Sequence, residues 1–385
     1  MDSILEKPHS RPNNICFGSG PCAKHKGWTP PIGRLAGRSH RSKIGLNFIQ
    51  KTLELQREIL GIPSDYKVAF INGSATAAME MLIWNLIGEK PIDIINHCVF
   101  SNHWCNDIVK ELEIQDANVI RGNFPNMADT SLVNFDHDVV FCISSTTSGV
   151  AFKNLDWIPS NRNGLTIADT ASAVYCLDID WSKIDATAFS WQKGLGSEGG
   201  SGVIVLSPRA MERLKCFNPN RAIPRILRLK NDGTINEAVF DGSTINTPSL
   251  LAMEDYHNAL LWARNQGGLA GLLNTIEKNR STVSEWINHQ NLFSYLVDEK
   301  YRAPHIACLD INDARYNSLS EQDKWNFLRD IVALCEENNA GCDFLGHIMT
   351  HPHLRIWCGP TVNHSDLELL LPWIDFATKT LIEKL

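Results

Sequence analysis

The sequence predicts an α/β fold, with a large domain on a mostly parallel sheet and a smaller α+β unit behind it. Two observations point there. Short apolar runs alternate with helical patterns from about residue 46 onward, as expected of parallel strands buried on both faces. Toward the C-terminus the pattern changes to long helices with fewer strands between them. At 385 residues the chain is long enough for two domains. The expected division is an N-terminal arm over 1–45, a large domain over 46–262 and a small domain over 263–385.

Residues 1–45 are rich in Gly, Pro, Arg and His and lack periodicity, so they read as an ordered arm. A helix is expected from Leu46 to Leu60, stopped by Gly61 and Pro63. VAFI (Val68–Ile71) reads as a buried strand. NGSAT then makes a turn, and Ala77–Ile87 reads as a helix. DIIN (Asp93–Asn96) is a strand and Asn106–Leu112 a helix. Four more apolar runs predict strands: Asp138–Ser144, Leu165–Ala168, Ala186–Ser190 and Gly202–Leu206. A helical stretch over Ser249–Ala270 leads out of this unit. The small domain is expected to hold helices at Leu272–Trp286, Glu321–Glu337 and Asp366–Lys384. Its strands are expected at His305–Leu309, Asp343–Ile348 and Leu354–Trp357.

Composition excludes several function classes. Lys and Arg number 36 against 43 Asp and Glu, and the basic residues are dispersed, so no nucleic-acid footprint is expected. The eleven cysteines form no CxxC pair and read as thiols in a reducing compartment. The N-terminus lacks the apolar core of a signal peptide, and no apolar run is long enough to span a bilayer. The expectation is a soluble cytoplasmic protein. There is no phosphate-binding GxxxxGK[ST] loop, no HExxH, no zinc-spaced Cys/His cluster, no metal site and no GxSxG elbow.

What remains is SWQKGLGSEGGSG, residues 190–202, which sets Lys193 among small residues just past a strand. LTIADTASAV places Asp169 directly after another strand. In a parallel sheet the carboxyl ends of strands share one edge, and ligands bind there. A lysine amine and a carboxylate in one crevice suit pyridoxal 5'-phosphate: the amine bonds the aldehyde, and the acid keeps the ring nitrogen protonated. The small residues are expected to let the ring approach the backbone. NGSAT offers the amides of Ser74, Ala75 and Thr76 at a helix N-terminus, where a phosphate can sit.

These stretches, together with GSGPCAK, GRSHRSKIG, DVVFCISSTTSGV, INTPSLL and LRIWCG, resemble the phosphoserine aminotransferases, class V pyridoxal-phosphate enzymes of the type I fold. The resemblance runs from about Phe17 to the last helix. It implies that Lys193 carries the cofactor covalently, Asp169 pairs with its ring nitrogen and Trp104 stacks on its ring. Thr146 is implied to bond the phenolic oxygen, and Ser74, Ala75 and Gln192 the phosphate. Asn246 and Thr247 are implied to reach the phosphate from the neighbouring subunit of a homodimer. Arg355 is implied to clamp the substrate α-carboxylate, with His40, Arg41 and His347 meeting the distal anionic group.

The implied reaction moves an amino group between glutamate and 3-phosphohydroxypyruvate to give O-phosphoserine, in serine biosynthesis. The chain departs from the family at Ile348, where relatives offer an arginine, and at Ala75, where they often carry a polar or charged residue. Those departures leave open another anionic 2-oxo acid with a sulfonate, phosphonate or carboxylate tail. A cysteine desulfurase or lyase on the same fold would need a mobile nucleophilic cysteine, for which Cys342 is the candidate by position. A non-catalytic regulator is opposed by the intact Lys193 and Asp169.

Overall fold

The computed structural model describes residues 6–346 and 351–385. Among the described residues the arm contains no helix or strand before α1, Lys43–Leu60. Ser42 caps α1 by accepting the Gly45 amide, and Gly61, with φ 62°, ends it in the left-handed conformation that glycine adopts without strain. The first half of the chain then supplies β1 (Lys67–Asn72), α2 (Ser74–Leu86), β2 (Ile92–Asn96), α3 (Val99–Asn106), β3 (Ala117–Arg121), β4 (Asp138–Cys142) and β5 (Thr166–Asp169). β6 (Ala186–Phe189), β7 (Ser201–Leu206) and α4 (Pro208–Cys216) follow, then a hairpin of β8 (Lys230–Asn231) and β9 (Thr234–Ile235).

Seven of these strands form one sheet in the order β1-β7-β6-β5-β4-β2-β3. β7 runs antiparallel to both neighbours, and the other pairings are parallel. The alternation of side chains along each strand separates two apolar layers. Val68, Phe70, Phe141, Ala168, Phe189 and Val203 pack on one face. Ala69, Ile71, Val140, Ile167, Ala188 and Ile204 pack on the other, under α2, α3 and α4. This is the mixed, mostly parallel sheet that the apolar runs predict. At the amino end of β4, buried Asp138 accepts 2.7 and 3.1 Å bonds from Arg213 of α4 and a 2.8 Å bond from the Leu165 amide. This end is pinned by charge, and the opposite end, where the strands finish, is left for ligands.

Helix α5 (Leu250–Asn265) leads to α6 (Gly268–Asn288), β10 (Phe293–Tyr295), β11 (Ile306–Ile311), α7 (Ala314–Asn317), α8 (Glu321–Glu337), β12 (Leu354–Trp357) and α9 (His364–Ile382). β10, β11 and β12 make an antiparallel sheet, sharing one core with α6, α8 and α9. The arm is tied to this unit. Trp373 donates to the Ser10 carbonyl at 2.8 Å, the Trp357 amide to the Phe17 carbonyl at 3.0 Å, and the Cys16 backbone pairs with that of Cys342.

Three expected elements differ. The first turns after β2 are helical from Val99, ahead of the expected Asn106, and residues 107–111 wind more loosely as a π-turn. The expected helix 249–270 breaks at Gly267, where φ is 97°. The expected strand 343–348 is reduced within its described part to a single bridge from Leu345 to Leu354.

Candidate active site

Asp169 is the last residue of β5, and Lys193 lies four residues beyond β6, the next strand in the sheet. Both are buried. The Lys193 amine donates a 3.2 Å bond to the Thr146 hydroxyl and lies 4.9 Å over the centre of the Phe100 ring. Burial pushes the lysine below its ordinary pKa, against the pull of Asp169. A larger fraction of its amine is therefore neutral and nucleophilic at a given pH.

Asp169 is held by hydrogen bonds on both oxygens. Oδ1 accepts the Ala171 amide at 2.9 Å, and Oδ2 accepts the Trp104 indole N–H at 3.0 Å and the Cys142 thiol at 3.8 Å. Burial still pushes the carboxyl above its ordinary range, with the Ala171 amide, Lys193 and Trp104 opposing it. Trp104 is itself buried in the layer under the sheet, so its polar edge meets the acid. The aromatic ring facing the lysine is Phe100. The sequence does not single out Phe100, because its pattern starts the helix that carries it seven residues later. A helix starting directly after β2 would have brought Phe100 to the strand ends.

Thr146 joins the two halves of the site. Its hydroxyl meets Lys193, and its carbonyl accepts a 2.9 Å bond from Arg355 of β12. Arg355 also donates to the Leu345 carbonyl at 3.3 Å. Its Nε is buried without a partner, and among the described residues no carboxylate pairs with it. A guanidinium so placed is ready for an incoming carboxylate.

Three glycines near Lys193 are required by the protein's own packing. A Cβ on Gly194 would stand 2.6 Å from the Val174 carbonyl, one on Gly196 2.1 Å from the Ala23 carbonyl, and one on Gly202 2.2 Å from the Ser74 carbonyl. At these three positions the lysine loop packs directly against backbone carbonyls, while Gly199 and Gly200 have no close backbone neighbour.

The turn before α2 also differs in detail. The Ser74 amide donates to the Gly200 carbonyl at 3.2 Å and is thus already engaged. The amides of Ala75 and Thr76, in the first turn of α2, have no carbonyl of their own helix to reach. Gln192 Oε1 is buried without a partner. Asn246 and Thr247 lie beside this turn in the same chain, where Asn72 donates to the Asn246 side chain and the Thr247 carbonyl, both at 2.9 Å. His40 is buried with its Nε2 unpartnered, and Arg41 is exposed. They precede α1, and among the described residues no hydrogen bond or ion pair joins them to Lys193, Asp169 or Arg355. His347 and Ile348 lie outside the described residues. Cys342 is held from both sides, its amide on the Ile15 carbonyl at 2.7 Å and its carbonyl under the Phe17 amide at 3.1 Å. A cysteine clamped in this way does not travel to a substrate as a desulfurase requires.

Residues 34–356 match the model of the family described as aminotransferase class-V. The phosphoserine aminotransferase of Methanosarcina mazei is 39% identical over 374 residues, covering 96% of this chain and 98% of that protein. Among solved structures, a phosphoserine aminotransferase from Cytophaga hutchinsonii superposes with a TM-score of 0.77 at 21% identity, covering 94% of this chain and 98% of that one. The pyridoxal-phosphate-bound phosphoserine aminotransferase from Trichomonas vaginalis gives 0.76 at 19% identity, over 94% and 99%. At these identities the structural matches speak for the fold.

Proposed function

The chain belongs to the class-V aminotransferases, and on that premise we propose that it is a pyridoxal-phosphate-dependent transaminase moving an amino group between glutamate and 3-phosphohydroxypyruvate. The observation that carries the reading is Thr146, one residue bonded to both the buried Lys193 amine and the Arg355 guanidinium, which meets no carboxylate among the described residues. It sets a nucleophilic amine beside a carboxylate clamp, the pairing that an amino-acid substrate needs.

The residues present fit the cofactor. Asp169 is a buried acid whose burial leaves it in need of a cationic partner, as a protonated ring nitrogen is. In the lysine loop Gln192 Oε1 is buried without a partner; with its amide turned, Gln192 can donate its N–H to a phosphate, alongside the Ala75 and Thr76 amides and the Ser74 hydroxyl. Phe100 offers a flat apolar face beside the lysine. When bound, the cofactor supplies an aldehyde for amine exchange and a ring that accepts the electrons released at the substrate's α-carbon. Lys193 would hold the cofactor, and its amine is the base placed to take the proton from that carbon. Thr146 orients the amine, Arg355 holds the α-carboxylate so that the α-hydrogen faces it, and burial keeps bulk water from competing for the proton.

We also read the active form as a homodimer. Ile32, Ile44 and Leu251 are exposed by 75, 52 and 51%. They sit on adjoining segments, since the arm at Arg34 bonds Glu254 of α5 at 3.0 Å. A second copy covering this apolar patch is the arrangement in which another chain's Asn246 and Thr247 would reach the cofactor phosphate. The reading is tested by supplying glutamate with 3-phosphohydroxypyruvate, 3-sulfopyruvate, phosphonopyruvate or oxaloacetate and quantifying each amino product. The highest kcat/KM is expected with 3-phosphohydroxypyruvate. A higher value for another acid would reassign the acceptor, and no 2-oxoglutarate from any of them would refute transamination from glutamate.

A further inference from the structure

A cavity of about 380 Å³ opens beside the site, lined by His97, Cys98, Asn102, Arg121, Phe124 and His351 among others. Its wall contains Cys98, the residue that caps α3. The Cys98 sulfur accepts the Ser101 amide at 3.4 Å and the Ser101 hydroxyl at 3.4 Å. It therefore stands at the positive end of the helix dipole, where a thiolate is favoured over a thiol. His97, buried, lines the same cavity with both ring nitrogens unpartnered. Cys142 ends β4, which pairs in parallel with β2 (Ile94 opposite Val140), so Cys98, two residues past β2, lies next to the strand end that carries Cys142, and both belong to the apolar layer under the sheet. Its thiol donates to Asp169 at 3.8 Å. The Cys142 thiol and His97 together draw Cys98 well below the ordinary thiol range, while Cys142 itself is raised by burial. Transamination uses neither sulfur.

We propose that Cys98 is an oxidative modification site, with Cys142 as its resolving thiol and hydrogen peroxide or an organic hydroperoxide as the oxidant. The Cys98 thiolate attacks the peroxide: an S–O bond forms, the O–O bond breaks, and the departing oxygen takes a proton and leaves as water or alcohol. Cys98 is oxidised by two electrons and the peroxide reduced by two. Cys142 then attacks the Cys98 sulfur, forming the S–S bond and releasing the oxygen as water with the thiol proton. A dithiol reverses the bond. The bond would cost Asp169 its Cys142 donor. It would also shift the start of α3, which carries Phe100 toward Lys193 and Trp104 toward Asp169. Oxidation at this cavity therefore reads out on the cofactor's grip.

The test treats the reduced, cofactor-loaded protein with limiting peroxide, blocks remaining thiols with an alkylating agent, and maps cysteine peptides by mass. Exposed Cys216 serves as an internal comparator. Cys98 is expected to react before Cys216, because its sulfur accepts two donors from Ser101 at a helix N-terminus, whereas the Cys216 thiol donates to the Glu212 carboxylate at 3.1 Å and is held as the thiol. A Cys98–Cys142 disulfide and release of cofactor should follow, both reversed by dithiothreitol. In Cys142→Ser the reaction should stop at a sulfenic acid on Cys98 that dimedone traps, and in Cys98→Ser no bond to Cys142 should form. The proposal fails if Cys98 stays reduced after Cys216 has reacted, or if Cys16–Cys342 is the only disulfide found. It also fails if Cys142→Ser gives no dimedone adduct. These readouts are masses, so they stand whether or not the acceptor is 3-phosphohydroxypyruvate.

Discussion

At the residue scale, Lys193, Asp169, Phe100 and Trp104 divide the work in a way that substitution can separate. On the proposed reading Lys193→Ala removes both the covalent anchor and the proton carrier, and kcat should fall by at least a hundredfold, roughly the low end for loss of a general base. Trp104→Phe keeps the bulk but removes the 3.0 Å indole donor from Asp169. A carboxylate that loses a donor is less favoured, so the already raised carboxyl rises further. The ionised form that holds the ring nitrogen is then lost earlier as pH falls. The acid limb of cofactor retention, followed by visible absorbance across a pH series, should move to higher pH in this variant. Phe100→Leu should leave that limb in place and weaken cofactor binding by about fivefold, the equivalent of about 1 kcal/mol of aromatic contact. If Trp104→Phe weakened binding equally at all pH values and Phe100→Leu did nothing, the roles of the two rings would be reversed.

At the scale of elements, the lysine loop is held by contact between backbones. Gly196 has a φ of 61°, and a Cβ added to it would approach the Ala23 carbonyl to 2.1 Å, so Gly196→Ala must strain the loop or displace the arm. A cost of at least about 2 kcal/mol is expected, read as a lowered Tm, together with lost cofactor retention because the displaced loop carries Lys193. Little of this is legible in the sequence, where a glycine run beside a lysine looks the same whether it admits a ligand or the chain itself. Strands β4 to β7 are legible because they are buried on both faces and read as unbroken apolar runs. Edge strand β3 is not, since Ile120 is its one buried side chain. The start of α3 is hidden because its cap is a cysteine, which carries none of the usual capping signal. Asp169 and Lys193 can be found because each follows a legible strand. Phe100 cannot, because the start of its helix is hidden.

At the scale of the whole molecule, the sheet brings acid and lysine together from adjacent strands, and the C-terminal unit adds Arg355 through Thr146. The arm, packed on the C-terminal unit through Ser10, Cys16 and Phe17, also passes Gly20 alongside the Lys193 side chain. Its further course leads to the exposed Ile32, Ile44 and Leu251. Leu251→Asp places a charge in that patch and should shift the protein toward monomer in sedimentation velocity, with activity falling in parallel; an unchanged sedimentation coefficient would place the interface elsewhere. The central claim is that Lys193, buried under Thr146 and over Phe100, is the amine that holds the cofactor. Its most direct measurement is borohydride reduction of the cofactor-loaded protein, followed by digestion and mass mapping of the pyridoxyl group. One modified peptide is expected, containing Lys193, and no modification in Lys193→Ala. A pyridoxyl group on any other lysine, or equal labelling of the Lys193→Ala protein, would contradict that claim.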